Sequence, residues 1–195
     1  MQYPLQLSFK IVALAPQIFV TDAQGQEVCY VRQKLLKLKE SVSVFADSTR
    51  ERQLCQIDAD RVIDFSAAYH FTDMSGERFG AIRRHGMKSI FKAHYDILDE
   101  QGAQQFTVSE DNALVKVLDA TFGEIPVLGM FTGYFFHPSY TVKASDGTEV
   151  VKARKEPAFF EGRFSIEKLI DLDEVTELRI LMSLLMMVLL ERSRG

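Results

Sequence analysis

A chain of 195 residues, 47% of them hydrophobic, holds enough apolar material for one sizeable core, so we expect residues 1–195 to form a single domain. The formal net charge of -4 argues against a generally basic nucleic-acid binder, and an anionic partner would have to bind a local cationic patch. The two cysteines, Cys29 and Cys55, are too few for a disulfide framework and lie in no zinc-binding pattern. These features predict a cytoplasmic protein with no metal, no other cofactor and no nucleic-acid partner.

The first predicted element is a strand near the N-terminus. In LQLSFKI, from Leu5 to Ile11, apolar and polar residues alternate with the period of a strand that has one buried face. No cationic segment precedes these apolar residues, so the pattern does not indicate a signal peptide.

A turn signal then recurs four times along the chain. The copies read VTDAQGQEVCYV from Val20, FTDMSGERFGAI from Phe71, ILDEQGAQQFTV from Ile97 and VKASDGTEVVKA from Val142. In the first three, an Asp stands three residues before a Gly, which suits a type I turn closed by a glycine with positive φ, and the fourth has the Asp-Gly hairpin signal. A further turn is expected at Arg84-His85-Gly86. The Val-, Ile-, Phe-, Tyr- and Thr-rich pieces between the turns predict about a dozen antiparallel strands.

One segment within this β pattern predicts an amphipathic helix, Ser109–Phe122. Ser109 suits an N-cap, and Glu110 and Asp111 suit the first turn. Its apolar residues form one stripe, so we expect this helix to pack outside a sheet or to close one end of it.

The C-terminal stretch Val175–Arg192 predicts a helix of a different kind. Asp171 and Glu174 have capping-box spacing, and the chain then runs LRILMSLLMMVLLER from Leu178, apolar on every side. Its uninterrupted apolar part is shorter than the ~20 residues that a membrane span needs, so protein must enclose it. Because the rest of the chain predicts strands, we expect a mainly β fold: a closed antiparallel barrel around this helix.

Three internal blocks and this helix also carry a family resemblance. The blocks read YVRQKLLKLKESVSVFAD from Tyr30, FTDMSGERFGAIRRHGMKS from Phe71 and FGEIPVLGMFTGYFFHPSY from Phe122, and the helix ends in ERSRG. They resemble the LURP-one-related family, which is similar to the tubby C-terminal domain and to phospholipid scramblases.

The resemblance implies a twelve-stranded antiparallel barrel threaded by a hydrophobic C-terminal helix. For function it implies a choice, because tubby domains bind phosphoinositides whereas scramblases associate with membranes and calcium. The chain has no cysteine cluster suited to palmitoylation and no Asp- and Asn-rich loop with calcium-ligand spacing, which argues against lipid scrambling.

A barrel filled by its own helix has no large central cavity, so we expect a ligand on the outer wall or at a rim.

Basic residues form the candidate site for an anionic ligand. In VRQKLLKLKE, a bulge at Leu35-Leu36 would turn the cations to one side, and a second basic run follows Ile82. The candidate residues are Arg32, Lys34, Lys37, Lys39, Arg83, Arg84 and Lys88. A third basic run holds Lys152, Arg154 and Lys155. The alternative interpretation is a set of solvated outer faces, on which Lys and Arg keep strand edges from pairing with other chains.

These cations favour a non-enzymatic cytosolic binding module that recognises anionic phospholipid headgroups or a phosphorylated ligand through a cationic groove, with peripheral contact to a membrane. One alternative is a protein-protein interaction scaffold, which an exposed apolar patch would indicate. Another is a hydrolase using His94 or His137, which requires either histidine to lie in a pocket beside a second titratable group. His94 and Asp96 would share one strand face, an arrangement that is also common on solvated sheets.

Overall fold

A computed structural model of the protein describes residues 1–10, 17–32, 41–61, 67–84, 94–111, 138–157 and 161–192. These residues form twelve strands and one helix. The strands are β1 (Leu5–Lys10), β2 (Gln17–Thr21), β3 (Glu27–Arg32), β4 (Ser41–Phe45), β5 (Gln53–Ala59), β6 (Ala68–Asp73), β7 (Arg78–Arg84), β8 (His94–Leu98), β9 (Gln104–Glu110), β10 (Ser139–Ala144), β11 (Glu149–Glu156) and β12 (Glu161–Lys168), and the helix is α1 (Glu174–Arg192).

The strands close into a barrel in which each strand pairs antiparallel with the strands before and after it in the chain. Closure is made by β1, which pairs with β2 on one side and with β12 on the other. Leu7, for example, lies opposite Val20 of β2 and Phe164 of β12. Within the described residues every strand has a neighbour on both edges, which confirms the predicted closed antiparallel barrel.

The barrel interior is filled by α1 and by inward-facing strand residues. Each strand contributes at least one apolar side chain that is no more than 2% exposed: Leu7, Val20, Val31, Val44, Ile57, Phe71, Ile82, Ile97, Val108, Val142, Val151 and Ile166. In α1 every residue from Ile180 to Leu189 is buried. A helix without a polar face is removed from water only when it is enclosed on all sides, so α1 requires the barrel around it. The barrel in turn requires α1 to fill its interior. Among the described residues, no helix combines the length and hydropathy that a membrane crossing needs.

Four tight hairpin turns lie at one end of the barrel, which we call the turn end. Their closing glycines have positive φ: 78° at Gly25, 88° at Gly76, 86° at Gly102 and 88° at Gly147. Each glycine amide donates to the carbonyl three residues earlier. In the first three turns that earlier residue is the Asp, and its Oδ1 also accepts from the backbone amides two and four residues later. The predicted glycine-closed turns are confirmed.

The helix begins at the turn end and finishes at the opposite end, which we call the exit end. Asp173 is its N-cap: Oδ1 accepts from the Thr176 amide at 2.9 Å, and the Thr176 hydroxyl donates to Oδ2. The capping-box prediction that began at Asp171 is therefore wrong by two residues, because it is the Asp173 side chain that reaches the free amides of the first turn.

A buried arginine fixes α1 at the turn end. Arg179 is 4% exposed, and its Nε donates to the carbonyl of Phe79 at 2.7 Å. Its Nη2 lies 2.7 Å from the Glu100 carboxylate, and Nη1 donates to Gln105. Gly80 makes room for this side chain, because a Cβ there would lie 2.8 Å from Arg179 Cγ. These contacts set both the depth and the rotation of the helix in the barrel.

The predicted helix Ser109–Phe122 does not begin at Ser109. Ser109 and Glu110 are the last residues of β9, where Ser109 pairs with His94 of β8 and Thr141 of β10. The backbone groups that an N-cap would use are thus taken by strand pairing. Residues 112–122 lie outside the described residues, as does the turn expected at 85–86.

Candidate ligand-binding site

The strand ends at the exit end hold the described members of the predicted cationic site. Arg32 is the last residue of β3 and is exposed, and Arg83 and Arg84 are the last two residues of β7. Because successive side chains of a strand point to opposite faces, Arg83 faces outward and Arg84 faces the helix. The other candidates lie outside the described residues: Lys34, Lys37, Lys39 and Lys88.

Both arginines at the C-terminal end of β7, Arg83 and Arg84, have acidic partners. Arg83 Nη2 lies 3.1 Å from Oδ2 of Asp96, a residue of β8 that is 1% exposed. Arg84 is 9% exposed and lies 3.7 Å from Oε1 of Glu191, in the last turn of α1. Its guanidinium carbon is also 5.7 Å from the centre of the Tyr95 ring. Arg84 therefore interacts with the end of α1 and does not face solvent.

Arg32 and Arg83 lie at the same end of the barrel, but their strands do not pair with each other. Three strands, β4, β5 and β6, lie between β3 with Arg32 and β7 with Arg83. In the third basic run, Lys152 lies 3.5 Å from Asp111 and Arg154 lies 3.6 Å from Glu167. Neighbouring carboxylates thus balance Arg83 of β7 and Lys152 and Arg154 of β11.

A pocket of about 200 Å³ opens at the exit end, between α1 and the strands β1, β10, β11 and β12. Its apolar wall includes Phe9 of β1, Tyr140 of β10, Phe164 of β12 and Met187 of α1. The Phe164 ring centre lies 6.4 Å from that of Phe9 and 6.2 Å from that of Tyr140. The pocket is therefore lined by three aromatic rings and closed on one side by the helix.

A glycine on β12 determines where the Phe9 ring lies. Gly162 is directly opposite Phe9 in the pairing of β1 with β12, and a Cβ at Gly162 would overlap that ring. The missing side chain leaves room for the outer end of the Phe9 ring against the β12 backbone. The pocket is thus shaped by a strand pair that joins the two ends of the chain.

Two of the described side chains that line the pocket are charged, Lys155 and Glu191, and of this pair Glu191 has an opposite charge beside it. Glu191 Oε1 accepts a hydrogen bond from the Tyr95 hydroxyl at 2.6 Å and lies 3.7 Å from Arg84. Lys155 of β11 is partly buried, and its backbone amide donates to the Pro138 carbonyl at 3.0 Å. Among the described residues, no carboxylate lies within ion-pair distance of the Lys155 ammonium group. The site is an apolar pocket with one available positive charge.

The tyrosine hydroxyls near the pocket are hydrogen-bond donors at neutral pH. Burial raises the pKa of Tyr140 well above its ordinary value, and the Glu110 and Glu191 carboxylates raise it further. Burial likewise raises the pKa of Tyr95, with Glu191 adding to the effect. Both rings therefore stay uncharged, and they add no negative charge that would repel an anion.

The histidine cluster that we considered for hydrolysis is arranged as a strand face. His94 is partly buried at the start of β8, and the Asp96 carboxylate on the same face pairs with Arg83. His137 lies outside the described residues. Across the described part of the chain, no three His, Cys, Asp or Glu side chains form a group that could hold a metal ion.

Among the residues that the structure describes, the exposed large apolar side chains, which would indicate a scaffold, lie at the turn end. Leu169 and Ile170 lie on the segment that joins β12 to α1, and Val175 lies in the first turn of the helix. Each is at least 40% exposed, as is Met1, whose amino group lies 3.7 Å from Glu177 of α1. These residues are on the opposite end of the barrel from the pocket.

One feature of the sequence, the position of Lys155 in its strand, predicts the pocket. Lys155 is two residues from Ala153 and four from Val151, so period-two alternation places this cation on the inward face of β11. A lysine on an apolar face is uncommon and would have marked the site. The parts played by Phe9 and Glu191 could not be found this way, because they depend on contacts between distant segments.

Comparison with known proteins gives one match. The model of the LURP-one-related family matches residues 27–167, from the first residue of β3 to the penultimate residue of β12. A search of curated proteins found no match. The matched range covers well over half of the chain and includes Tyr140, Lys155 and Phe164 of the pocket, whereas Phe9 and α1 lie outside it.

Proposed function

The chain belongs to the LURP-one-related family, and from this premise we propose that it is a non-enzymatic binding module that takes an anionic ligand at the exit end of the barrel. The ligand is an anionic phospholipid headgroup or a phosphorylated molecule. We place the module in the cytoplasm, in peripheral contact with a membrane when the ligand is a lipid.

The observation that carries this proposal is the distribution of charge along the barrel axis. The segments that join elements at the turn end are 22–26, 46–52, 74–77, 99–103, 145–148 and 169–173, and they contain nine acidic and two basic residues. In the sequence, the stretches that follow the strand and helix ends of the exit end are 11–16, 33–40, 60–67, 85–93, 111–138, 157–160 and 193–195. By sequence, these stretches contain six acidic and eight basic residues. An anionic surface is therefore repelled by the turn end and favours the exit end.

The candidate cations support the same end. Arg32 and Arg83 lie at the ends of strands there, and the lysines of 33–40 and Lys88 follow those two strands in the sequence. Arg84 has a different part in the proposal, because it neutralises Glu191 beside the pocket. That neutralisation removes a carboxylate charge that would otherwise repel an incoming anion.

Sedimentation with lipid vesicles tests the proposal. We expect binding to vesicles that contain phosphatidylserine or phosphoinositide, weaker binding as salt rises, and no binding to neutral phosphatidylcholine vesicles. The variant Lys34→Glu/Lys37→Glu should lose binding. Arg52→Glu/Arg78→Glu is the matched control, because it changes the net charge equally at exposed positions of the turn end.

Two results would overturn the proposal. One is the absence of binding to anionic vesicles and to inorganic phosphate at low salt. The other is an equal loss of binding in the turn-end control, which would mean that net charge alone governs association. Binding by a protein partner that is lost when Leu169 and Val175 become polar would instead favour the scaffold function.

A further inference from the structure

We infer that the pocket at the exit end binds the apolar end of a small amphipathic anion, a short unbranched alkyl chain that ends in a carboxylate or a phosphate, and that Lys155 pairs with the anionic group. This inference deepens the proposed function and rests on it for the preference for anions. It adds a defined site, a ligand class and a residue that recognises the charge.

The volume of the pocket sets the size of the occupant. An apolar cavity of about 150 Å³ is large enough for benzene, and pockets for drug-sized ligands occupy about 300 to 1,000 Å³. At about 200 Å³, the pocket accepts a chain of several carbons or one ring but not a whole phospholipid. A single unbranched chain fits the site better than a bulky headgroup does.

The wall of the pocket determines the chemistry of the part of the ligand that is buried. Phe9, Phe164 and Met187 offer carbon and thioether surface, and the thioether adapts to chains of different shape. The Tyr140 ring adds a further apolar face. When an alkyl chain enters the pocket, the apolar surfaces of the chain and of the pocket wall are removed from water, which favours binding.

The charged side chains of the pocket determine the chemistry of the other end of the ligand. Lys155 and Glu191 both line the pocket, but Glu191 already accepts from Tyr95 and lies beside Arg84. Lys155 therefore supplies the uncompensated charge of the described site, next to an apolar surface on which an unpaired ammonium is costly. A ligand carboxylate or phosphate at the mouth of the pocket would pair with it while the chain occupies the apolar part.

Methyl-resolved NMR of methionine-labelled protein tests the inference with octanoate, octyl phosphate and octanol as probes. Met187 lines the pocket, whereas Met74 is exposed in a hairpin turn at the other end of the barrel and serves as the internal control. We expect saturable shifts of the Met187 signal with both anions and no shift of the Met74 signal. Octanol should bind about tenfold or more weakly, because it lacks the charge-assisted contact with Lys155. A response to only one of the two anions identifies whether carboxylate or phosphate is preferred.

Three substitutions on β11 isolate the part of Lys155. Lys155→Met should reduce the affinity for both anions to that for octanol, and Lys155→Arg should keep most of the affinity. Lys152→Met is the matched control on the outward face of the same strand, and it should bind octanoate like the parent chain. Thermal melts of all three variants verify that each is folded.

The inference is overturned if neither anion shifts the Met187 signal saturably, or if octanol binds as tightly as octanoate. Its failure is distinguishable from failure of the proposed function. If the chain binds anionic vesicles but does not respond to octanoate, the proposed function is supported and the pocket ligand is rejected. If the chain does not bind anionic vesicles but responds to octanoate, and Lys155→Met abolishes that response, the pocket site is supported and the membrane ligand is rejected.

Discussion

The hydroxyl of Tyr95 on β8 donates a 2.6 Å hydrogen bond to Glu191, which holds the last turn of α1 against the barrel wall. Arg84 lies beside the same carboxylate, so a polar cluster holds the helix at its exit end as Arg179 does at the turn end. Between these two ends α1 makes apolar contacts, which favour burial but specify position weakly. The two polar clusters therefore set the position of the helix, and with it the shape of the pocket.

Replacing Tyr95 with Phe tests the cluster at the exit end. The change removes only the hydroxyl, and because Glu191 is partly exposed we expect a loss of about 1–2 kcal/mol in the free energy of unfolding, near the lower range for hydrogen bonds to charged groups. Urea denaturation measures the loss. Tyr69→Phe is the matched control, since Tyr69 is buried on β6 and its hydroxyl has no hydrogen-bond partner among the described residues. Equal losses in the two variants would show that the Tyr95 contact does not stabilise the fold.

Replacing Arg179 with Met tests the cluster at the turn end. The variant leaves the partly buried Phe79 carbonyl without the Arg179 donor, so we expect a loss of about 1–3 kcal/mol. The same substitution at Arg154, whose ion pair with Glu167 is exposed, should cost less than about 1 kcal/mol. Chemical denaturation of both variants measures the difference. A larger loss for Arg154→Met than for Arg179→Met would contradict the assignment of Arg179 as an anchor of α1.

A double-mutant cycle tests the packing of Phe9 over Gly162. Gly162→Ala places a methyl group where the ring lies, so we expect a loss of about 1–3 kcal/mol, as for an overpacked core. In a Phe9→Ala background the ring is absent, and the same change should cost much less. Unfolding free energies of the four proteins provide the coupling energy. A coupling energy near zero would mean that Gly162 is required for another reason.

Stability should fall in acid because of the carboxylates that accept hydrogen bonds in the turns. Hydroxyl and amide donors lower the pKa of Asp73, with Ser75 as the main contributor, and of Asp173, with Thr176 as the main contributor. A carboxyl group whose pKa is lower in the folded than in the unfolded chain stabilises the fold above the unfolded-state value of about 4 and loses that effect as pH falls through the folded-state value. We expect the free energy of unfolding to decrease below about pH 5.

Asp173→Asn isolates one of these groups. Asn is as good an N-cap as Asp but does not titrate, so the variant should keep its stability near neutral pH and lose stability less steeply in acid. Urea denaturation over a series of pH values measures both properties. An unchanged acid dependence would show that Asp173 does not contribute to it.

The sequence predicted those features that depend on neighbouring residues. An Asp three residues before a Gly determines the turn at Asp22–Gly25 through local hydrogen bonds, and the uniform apolarity of α1 requires enclosure whatever encloses it. The N-cap was misplaced because Asp171 and Asp173 both suit the start of a helix, and only the folded chain shows which carboxylate reaches the Thr176 amide.

The site was less predictable, because it depends on which way strands face and on distant partners. Two consecutive arginines in a strand must face opposite sides, but the sequence does not say that Arg84 is the inner one. Phe9 and Gly162 are at opposite ends of the chain, and only the closure of β1 on β12 brings them together. The pocket is a product of that closure.

The most direct test of ligand binding at the exit end is to measure which end of the barrel meets an anionic membrane. Lipid nanodiscs that contain phosphatidylserine and a paramagnetic lipid broaden the NMR signals of nearby methyl groups. Binding through the exit end predicts stronger broadening of the Met187 signal than of the Met74 signal, although Met74 is far more exposed to solvent. Stronger broadening of the Met74 signal would contradict binding at the exit end.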